Sequence, residues 1–228
     1  MPTALRIALR TVGELLITAG LLIGLFLVWQ LWWTDVVAGR QQAQEVRALT
    51  EAFERGEQPT TDSVAQPVPE PAPGQTFAII HIPAFGSDYA RPVIEDTGLD
   101  VLSLGVGHYV GTAMPGEVGN VALAGHRTTY GAPFNRIAEL QPGDVIVIET
   151  SAAYHSYRVA HHQIVRPWQT EVIAPVPSEP GVTPTKRWLT MTSCHPMWSA
   201  RERYILHSSW VDSVPRGATT LDEVLREA

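Results

Sequence analysis

Cysteine occurs once in this 228-residue chain, as Cys194, and lysine once, as Lys186. One thiol cannot close an intrachain disulfide, and one cysteine among scattered histidines lacks the ligand spacing of a zinc site. That disfavours a zinc site built from Cys194, His195 and the pair His161-His162. Basic residues number 16 against 23 acidic ones, for a formal net charge of -7. Nucleic acid selects a basic face, so it is not an expected partner. No internal repeat is apparent. Glu95, Asp96 and Asp100 are acidic, but their spacing is not that of a calcium loop. Neither a metal nor a cofactor is therefore expected.

The chain does not lack a long apolar run. Leu15 to Trp33 holds 19 residues without a charge. At about 1.5 Å of rise per residue it comes close to spanning a hydrocarbon core. Arg6 and Arg10 precede it and Asp35 follows, so the positive-inside bias puts the N-terminus in the cytoplasm and the rest outside. Trp29, Trp32 and Trp33 suit the outer interface. A cleavable signal peptide is the alternative, with Val36-Val37-Ala38 as a passable cleavage site. The run exceeds the usual h-region, which favours a retained single-pass anchor over residues 1–38.

Residues 39–75 read as an extracellular spacer. RQQAQEVRALTEAFERGEQ favours helix by composition, and PTTDSVAQPVPEPAPGQ is proline-rich and extended. The spacer shows no core-forming periodicity, so it is expected to hold the domain away from the membrane and to add nothing to its core. Residues 76–214 read as the folded domain. FAIIHIPAF, NVALAGH, DVIVIET, YRVAHHQIV, WLTMTSC and RYILHSSW are short β-branched and aromatic runs with turn residues between them. Gln141-Pro-Gly-Asp144 fits a type II turn. Phe134, Ile137 and Leu140 recur at spacing three and predict one helix over 133–140. An all-β domain follows, a closed barrel or a sandwich. In the tail, 215–228, Thr220-x-x-Glu223 is a capping box that predicts one short helix.

Candidate chemistry sits where strands end. In WLTMTSC, Trp188, Thr190, Thr192 and Cys194 share one face, and Leu189, Met191 and Ser193 the other. Cys194 closes that strand just before Pro196, which cannot donate to a ladder. A strand end is a rim, both held and accessible, although a packed structural thiol is the commoner role of a lone cysteine. His126 ends NVALAGH, a run apolar on both faces, and so falls on a rim too. A loop histidine bonded to backbone remains the bland alternative. Arg203 opens the strand that follows the cysteine strand. Its guanidinium can donate to a carbonyl or an oxyanion, or it can be a surface arginine. A thiol, an imidazole and a guanidinium at three strand ends form a nucleophile, a proton carrier and an anion stabiliser.

YVGTAMPGEVGNVALAGHRTTYGAPF and LTMTSCHPMWSARERYILHSSW resemble the sortases, membrane-anchored cysteine transpeptidases of Gram-positive bacteria. The resemblance covers residues 76–212 and the N-terminal anchor. It rests on a histidine closing a strand, a Thr-Leu-x-Thr-Cys-type strand and an arginine opening the next. CHP, GHRTTYGAPF and the proline-rich spacer are most similar to the actinobacterial class E sortases. Ser193 stands where the family usually has threonine, keeping the hydroxyl and losing the methyl.

The resemblance implies a closed eight-stranded β-barrel with one or two short helices after a transmembrane helix. It implies Cys194 as nucleophile, His126 as the catalytic histidine and Arg203 as the arginine, with Arg201 the weaker match. Ser193, Tyr109 and Tyr130 are the implied substrate contacts, a tyrosine selecting the second residue of the sorting signal. The implied reaction cleaves a Leu-Ala-x-Thr-Gly or Leu-Pro-x-Thr-Gly signal between Thr and Gly. The implied partners are surface proteins bearing that signal and a peptidoglycan-precursor amine, acted on by a monomer. The lid motif and second membrane helix of pilin-polymerising sortases are not visible. An L,D-transpeptidase would show Ser-His-Gly-Cys, and a papain-like peptidase would place its cysteine before its histidine. A tethered β-module that only binds wall components remains the non-enzymatic alternative.

Overall fold

The computed structural model describes residues 2–56 and 69–227. Ten residues of the proline-rich stretch, 59–68, lie outside them. The elements are α1 (Thr3–Arg55), β1 (Thr76–His81), β2 (Ala90–Glu95), α2 (Leu99–Leu104), β3 (Val106–His108), β4 (Gly119–Ala124), β5 (Val145–Thr150), β6 (Ala153–Val165), β7 (Arg187–His195), β8 (Glu202–Pro215) and α3 (Leu221–Glu227). The eight strands close into a barrel in the order β1-β2-β3-β4-β7-β8-β6-β5. Two neighbouring pairs, β2 with β3 and β4 with β7, are parallel.

Alternation fills the barrel. Val121 and Leu123 of β4, Leu189 and Met191 of β7, and Tyr204 and Leu206 of β8 join one buried cluster with Ile80, Ile146, Ile148 and Tyr157. The opposite positions of β4, β7 and β8 face outward. There the Thr190 hydroxyl bonds to both Asn120 and His207 beneath the β6–β7 connection, and Asn120 also donates to the Ala174 carbonyl. Gly143 takes φ 102° in the Gln141–Asp144 turn, which the Asp144 N–H closes onto the Gln141 carbonyl. Thr220 and Glu223 form the expected capping box, with the Thr220 N–H 2.9 Å from the Glu223 carboxylate.

Two expectations change, and two strands were not anticipated. The helix expected over 133–140 is only the 3-10 turn Ile137–Glu139. Spacing three is the 3-10 period itself, and it still buries Phe134, Ile137 and Leu140 on one side. The strands β2 and β3 were not legible as runs, because Pro92 interrupts one and the other is three residues long with Gly107 in its middle. The helical part of the spacer does not stand clear. It continues the apolar helix without a break, and Ala38, Gln42, Val46, Leu49 and Phe53 form a partly buried stripe along it. That stripe has helical spacing, but it is narrow and begins with alanine and glutamine, so it carries little hydrophobic signal.

Candidate active site

Strand register assembles the site. β7 and β8 are antiparallel with Cys194 directly opposite Arg203. Directly opposed residues share a face, with Cα atoms about 4.5–5.5 Å apart. β4 and β7 are parallel with Ala124 beside Thr192, and the Gly125 N–H donates to the Thr192 carbonyl. β4 closes at Ala124, and the two neighbours of His126 are tied to the end of β7: the Gly125 carbonyl accepts from Ser193, and Arg127 donates to the Cys194 carbonyl. Cys194 and Arg203 therefore share the outer face of the barrel, and His126 follows the close of β4 at the same end, where β7 finishes and β8 starts.

Local packing fixes each of them. Gly125 has to be glycine: a Cβ there would stand 2.6 Å from the ring of the buried Phe134. Arg203 Nη1 donates to the carbonyls of Ala200 (2.9 Å) and Glu202 (3.1 Å), so the turn between β7 and β8 grips one end of the guanidinium. Its Nε and Nη2 have no acceptor among the described residues. The thiol of Cys194 is free and half-buried.

The eight histidines are not equivalent. His81 and His108 pair with the buried carboxylates of Glu149 and Glu95, at 2.9 and 2.7 Å. His155 meets Ser213, His195 meets Arg127 and His207 meets Thr190. His161 packs on His207, and His162 stacks on Tyr204. Among the described residues, His126 alone has a buried ring nitrogen, Nε2, with no hydrogen-bond partner. Burial also pushes its pKa down, because the charged imidazolium is desolvated more heavily than the neutral ring. The neutral form is the one able to take a proton from a thiol.

The expected substrate contacts fall in different places. Tyr109 lies half-buried just after β3, with its hydroxyl 3.1 Å from Thr192 Oγ1 on the face that carries Cys194. Tyr130 is exposed on the loop after His126, its ring 5.1 Å from the imidazole. Ser193 points to the other face. It is buried, and its hydroxyl donates to the Gly125 carbonyl at 2.8 Å. It ties β7 to the exit of β4 and steadies the two strand ends. Of the acids weighed as a calcium loop, Glu95 turns inward to His108, and Asp96 accepts the N–H groups of Thr97 and Gly98.

Arg127 escaped the sequence reading. It is buried, and its Nη1 donates to the Cys194 carbonyl at 3.2 Å and meets His195 Nδ1 at 2.9 Å. The residue after the histidine thus clamps the backbone of the cysteine. Its only sequence signal was adjacency to His126, and a charge in a polar loop is ordinarily solvated.

Comparison with known proteins agrees with this architecture. The sortase domain family matches residues 80–211. The chain is 38% identical over 223 residues to sortase SrtE1 of Streptomyces coelicolor, covering 94% of this chain and 60% of that one. It is 34% identical to sortase SrtE2 of the same organism, covering 87% of this chain and 80% of that one. It thus spans less than two thirds of the length of SrtE1. Among solved structures, sortase E of Streptomyces avermitilis superposes with a TM-score of 0.62 at 37% identity, covering 68% of this chain and 100% of that one. Sortase E1 of Streptomyces coelicolor with a tripeptide in the active site gives 0.60 at 37% identity, covering 67% and 98%.

Proposed function

The chain belongs to the sortase family, and on that footing we propose that it is a cysteine transpeptidase that joins surface proteins to a cell-wall amine. The observation that supports the proposal is Cys194 opposite Arg203 in the ladder, with Arg127, the residue after His126, bonded to the Cys194 carbonyl, and His126 the histidine with an unpartnered buried nitrogen. The sorting signal is of the Leu-Ala-x-Thr-Gly or Leu-Pro-x-Thr-Gly type. The sulfur of Cys194 attacks the threonine carbonyl carbon, and its proton passes to His126. Negative charge gathers on the carbonyl oxygen, where the Nε and Nη2 donors of Arg203 can meet it. Collapse of that intermediate breaks the C–N bond to glycine, and His126 returns the proton to the leaving amine. An acceptor amine of the peptidoglycan precursor then attacks the thioester, forms the new amide and restores the thiol. No redox partner or metal enters this balance.

Tyr109, held by Thr192 on the same face, and Tyr130, beside His126, are positioned to touch the peptide near the scissile bond. The apolar part of α1 serves as a single-pass anchor with the N-terminus in the cytoplasm and the barrel outside. Its support is a helix of mean hydropathy 2.1 across its most apolar window, none of which is buried by the protein.

The test is incubation with both peptide types and an amine, read by mass spectrometry. Expected are the peptide-to-threonine fragment joined to the amine, and the same fragment as a thioester on Cys194. If neither peptide is cleaved and no adduct forms, a binding module is the better reading.

A further inference from the structure

The strand topology gives the barrel two distinguishable ends, and α1 runs past both. At the catalytic end, Asp35 accepts a hydrogen bond from the Gly131 N–H at 3.2 Å, and Gln42 donates to the Tyr130 carbonyl at 2.9 Å. Gln42 is only 1% exposed. Further along the helix, Glu45 accepts from Thr76, where β1 starts, and Phe53 lies under Arg216, just after β8. The Phe53 contact is at the opposite end, because β8 starts at the catalytic end beside Cys194 and finishes at Pro215, one residue before Arg216. Asp35 is two residues beyond Trp33, about 3 Å of helical rise, while Glu45 and Phe53 are about 15 and 27 Å beyond Asp35. The membrane-side end of this helix segment therefore meets the catalytic end of the barrel first.

A second observation agrees. Outside α1, the exposed aromatic side chains among the described residues are Tyr130 (42%), Trp168 (75%) and Trp198 (72%). Tyr130 follows His126. Trp168 is in the turn after β6, whose last residue pairs with Arg203, and Trp198 is in the turn between β7 and β8. All three stand at the catalytic end. Exposed tryptophan and tyrosine are the residues that settle at a membrane–water interface. Arg201, exposed three residues after Trp198, adds a cation suited to anionic headgroups.

We propose that the catalytic end of the barrel lies against the bilayer surface, with Tyr130, Trp168 and Trp198 in the headgroup layer and α1 setting that orientation. The proposal rests on the reading of α1 as a membrane anchor. Its consequence is geometric: acyl donors and amine acceptors tethered to the same bilayer meet Cys194 without leaving the interface.

The test uses the full chain with Cys194→Ala, which frees the sequence of thiols. Single cysteines are then introduced as Trp168→Cys, Trp198→Cys or, in the β5–β6 turn of the far end, Ser151→Cys. Each carries an environment-sensitive dye and is reconstituted into phosphatidylcholine–phosphatidylglycerol vesicles containing a lipid with a spin-labelled headgroup. Dye at 168 and 198 should be quenched several-fold more than dye at 151. A chain that floats with the vesicles but shows equal quenching at both ends, or more at 151, overturns this orientation and leaves the anchor standing. A chain that does not float overturns the anchor and the orientation with it. Asp35→Ala with Gln42→Ala in the labelled chains should erase the difference between ends. If the difference survives, α1 does not set the orientation.

Discussion

Replacing Arg203 by lysine keeps the charge and removes the fork. In the structure one amino group of the guanidinium, Nη1, is committed to the Ala200 and Glu202 carbonyls, and the other donors remain for a ligand. A lysine has one nitrogen on a flexible stem and cannot hold the turn and reach an oxyanion from the same place. Loss of one oxyanion donor costs about 10²–10³-fold in kcat, or about 2.7–4 kcal/mol of transition-state stabilisation. A fall of that size is expected for Arg203→Lys in peptide cleavage under single-turnover conditions. Substrate binding should change far less, because the charge develops only as the bond forms. Arg201→Lys is the control: that side chain is exposed and makes no side-chain hydrogen bond among the described residues, so the change should be mild. The cross-strand pairing of Cys194 with Arg203 predicts this order. If Arg203→Lys retains the parent kcat while Arg201→Lys loses it, the assignment of the anion-stabilising arginine is refuted.

Other outcomes follow from the same site and its surroundings. Cys194→Ala should abolish both the thioester adduct and turnover, since no second thiol exists to replace it. His126→Ala should lower turnover by about 10²–10⁴-fold, the usual worth of positioned proton transfer. Because burial pushes His126 below its ordinary value of 6.5, the acid limb of kcat/KM should lie below that pH, and a limb above it would contradict a required neutral imidazole. Acid should also destabilise the fold. Burial holds His155 and His207 neutral, pushing each down to about 4, with Arg187 and His161 respectively adding to the effect. Between about pH 6.5 and 4 the unfolded chain takes up protons that the folded chain refuses, so stability falls as pH drops through that window, by up to about 3 kcal/mol for each histidine. Urea titrations at pH 7 and pH 4.5 measure it, and an unchanged midpoint would count against buried neutral histidines. Finally, a chain beginning at Thr76 should fold with a lowered melting temperature, having lost the Asp35 and Gln42 hydrogen bonds at about 1 kcal/mol each. An unchanged melting temperature would show that α1 does not brace the barrel.

The parts of this molecule legible in its sequence are those where one physical rule acts locally. Alternation along WLTMTSC put Cys194 on the face opposite Leu189 and Met191, and the structure keeps that division. Thr220 and Glu223 announced a helix start through their own hydrogen bonds. What stayed hidden depends on register between segments far apart in the chain. No local pattern says that β4 runs parallel to β7, yet that pairing is what brings the end of β4, just before His126, to the strand that carries Cys194. The resemblance to a known family supplied the grouping that periodicity could not. Arg127 shows the same limit from the other side. Its partners are 67 and 68 positions away, so its burial against the cysteine backbone cannot be read from neighbours in sequence. The stripe from Ala38 to Phe53 was hidden for a different reason, since its most buried residue, Gln42, is polar and buries itself by hydrogen bonding rather than by hydrophobicity. A composition-based reading therefore takes the segment for a spacer, whereas its hydrogen bonds make it a brace between the apolar helix and the loop of His126.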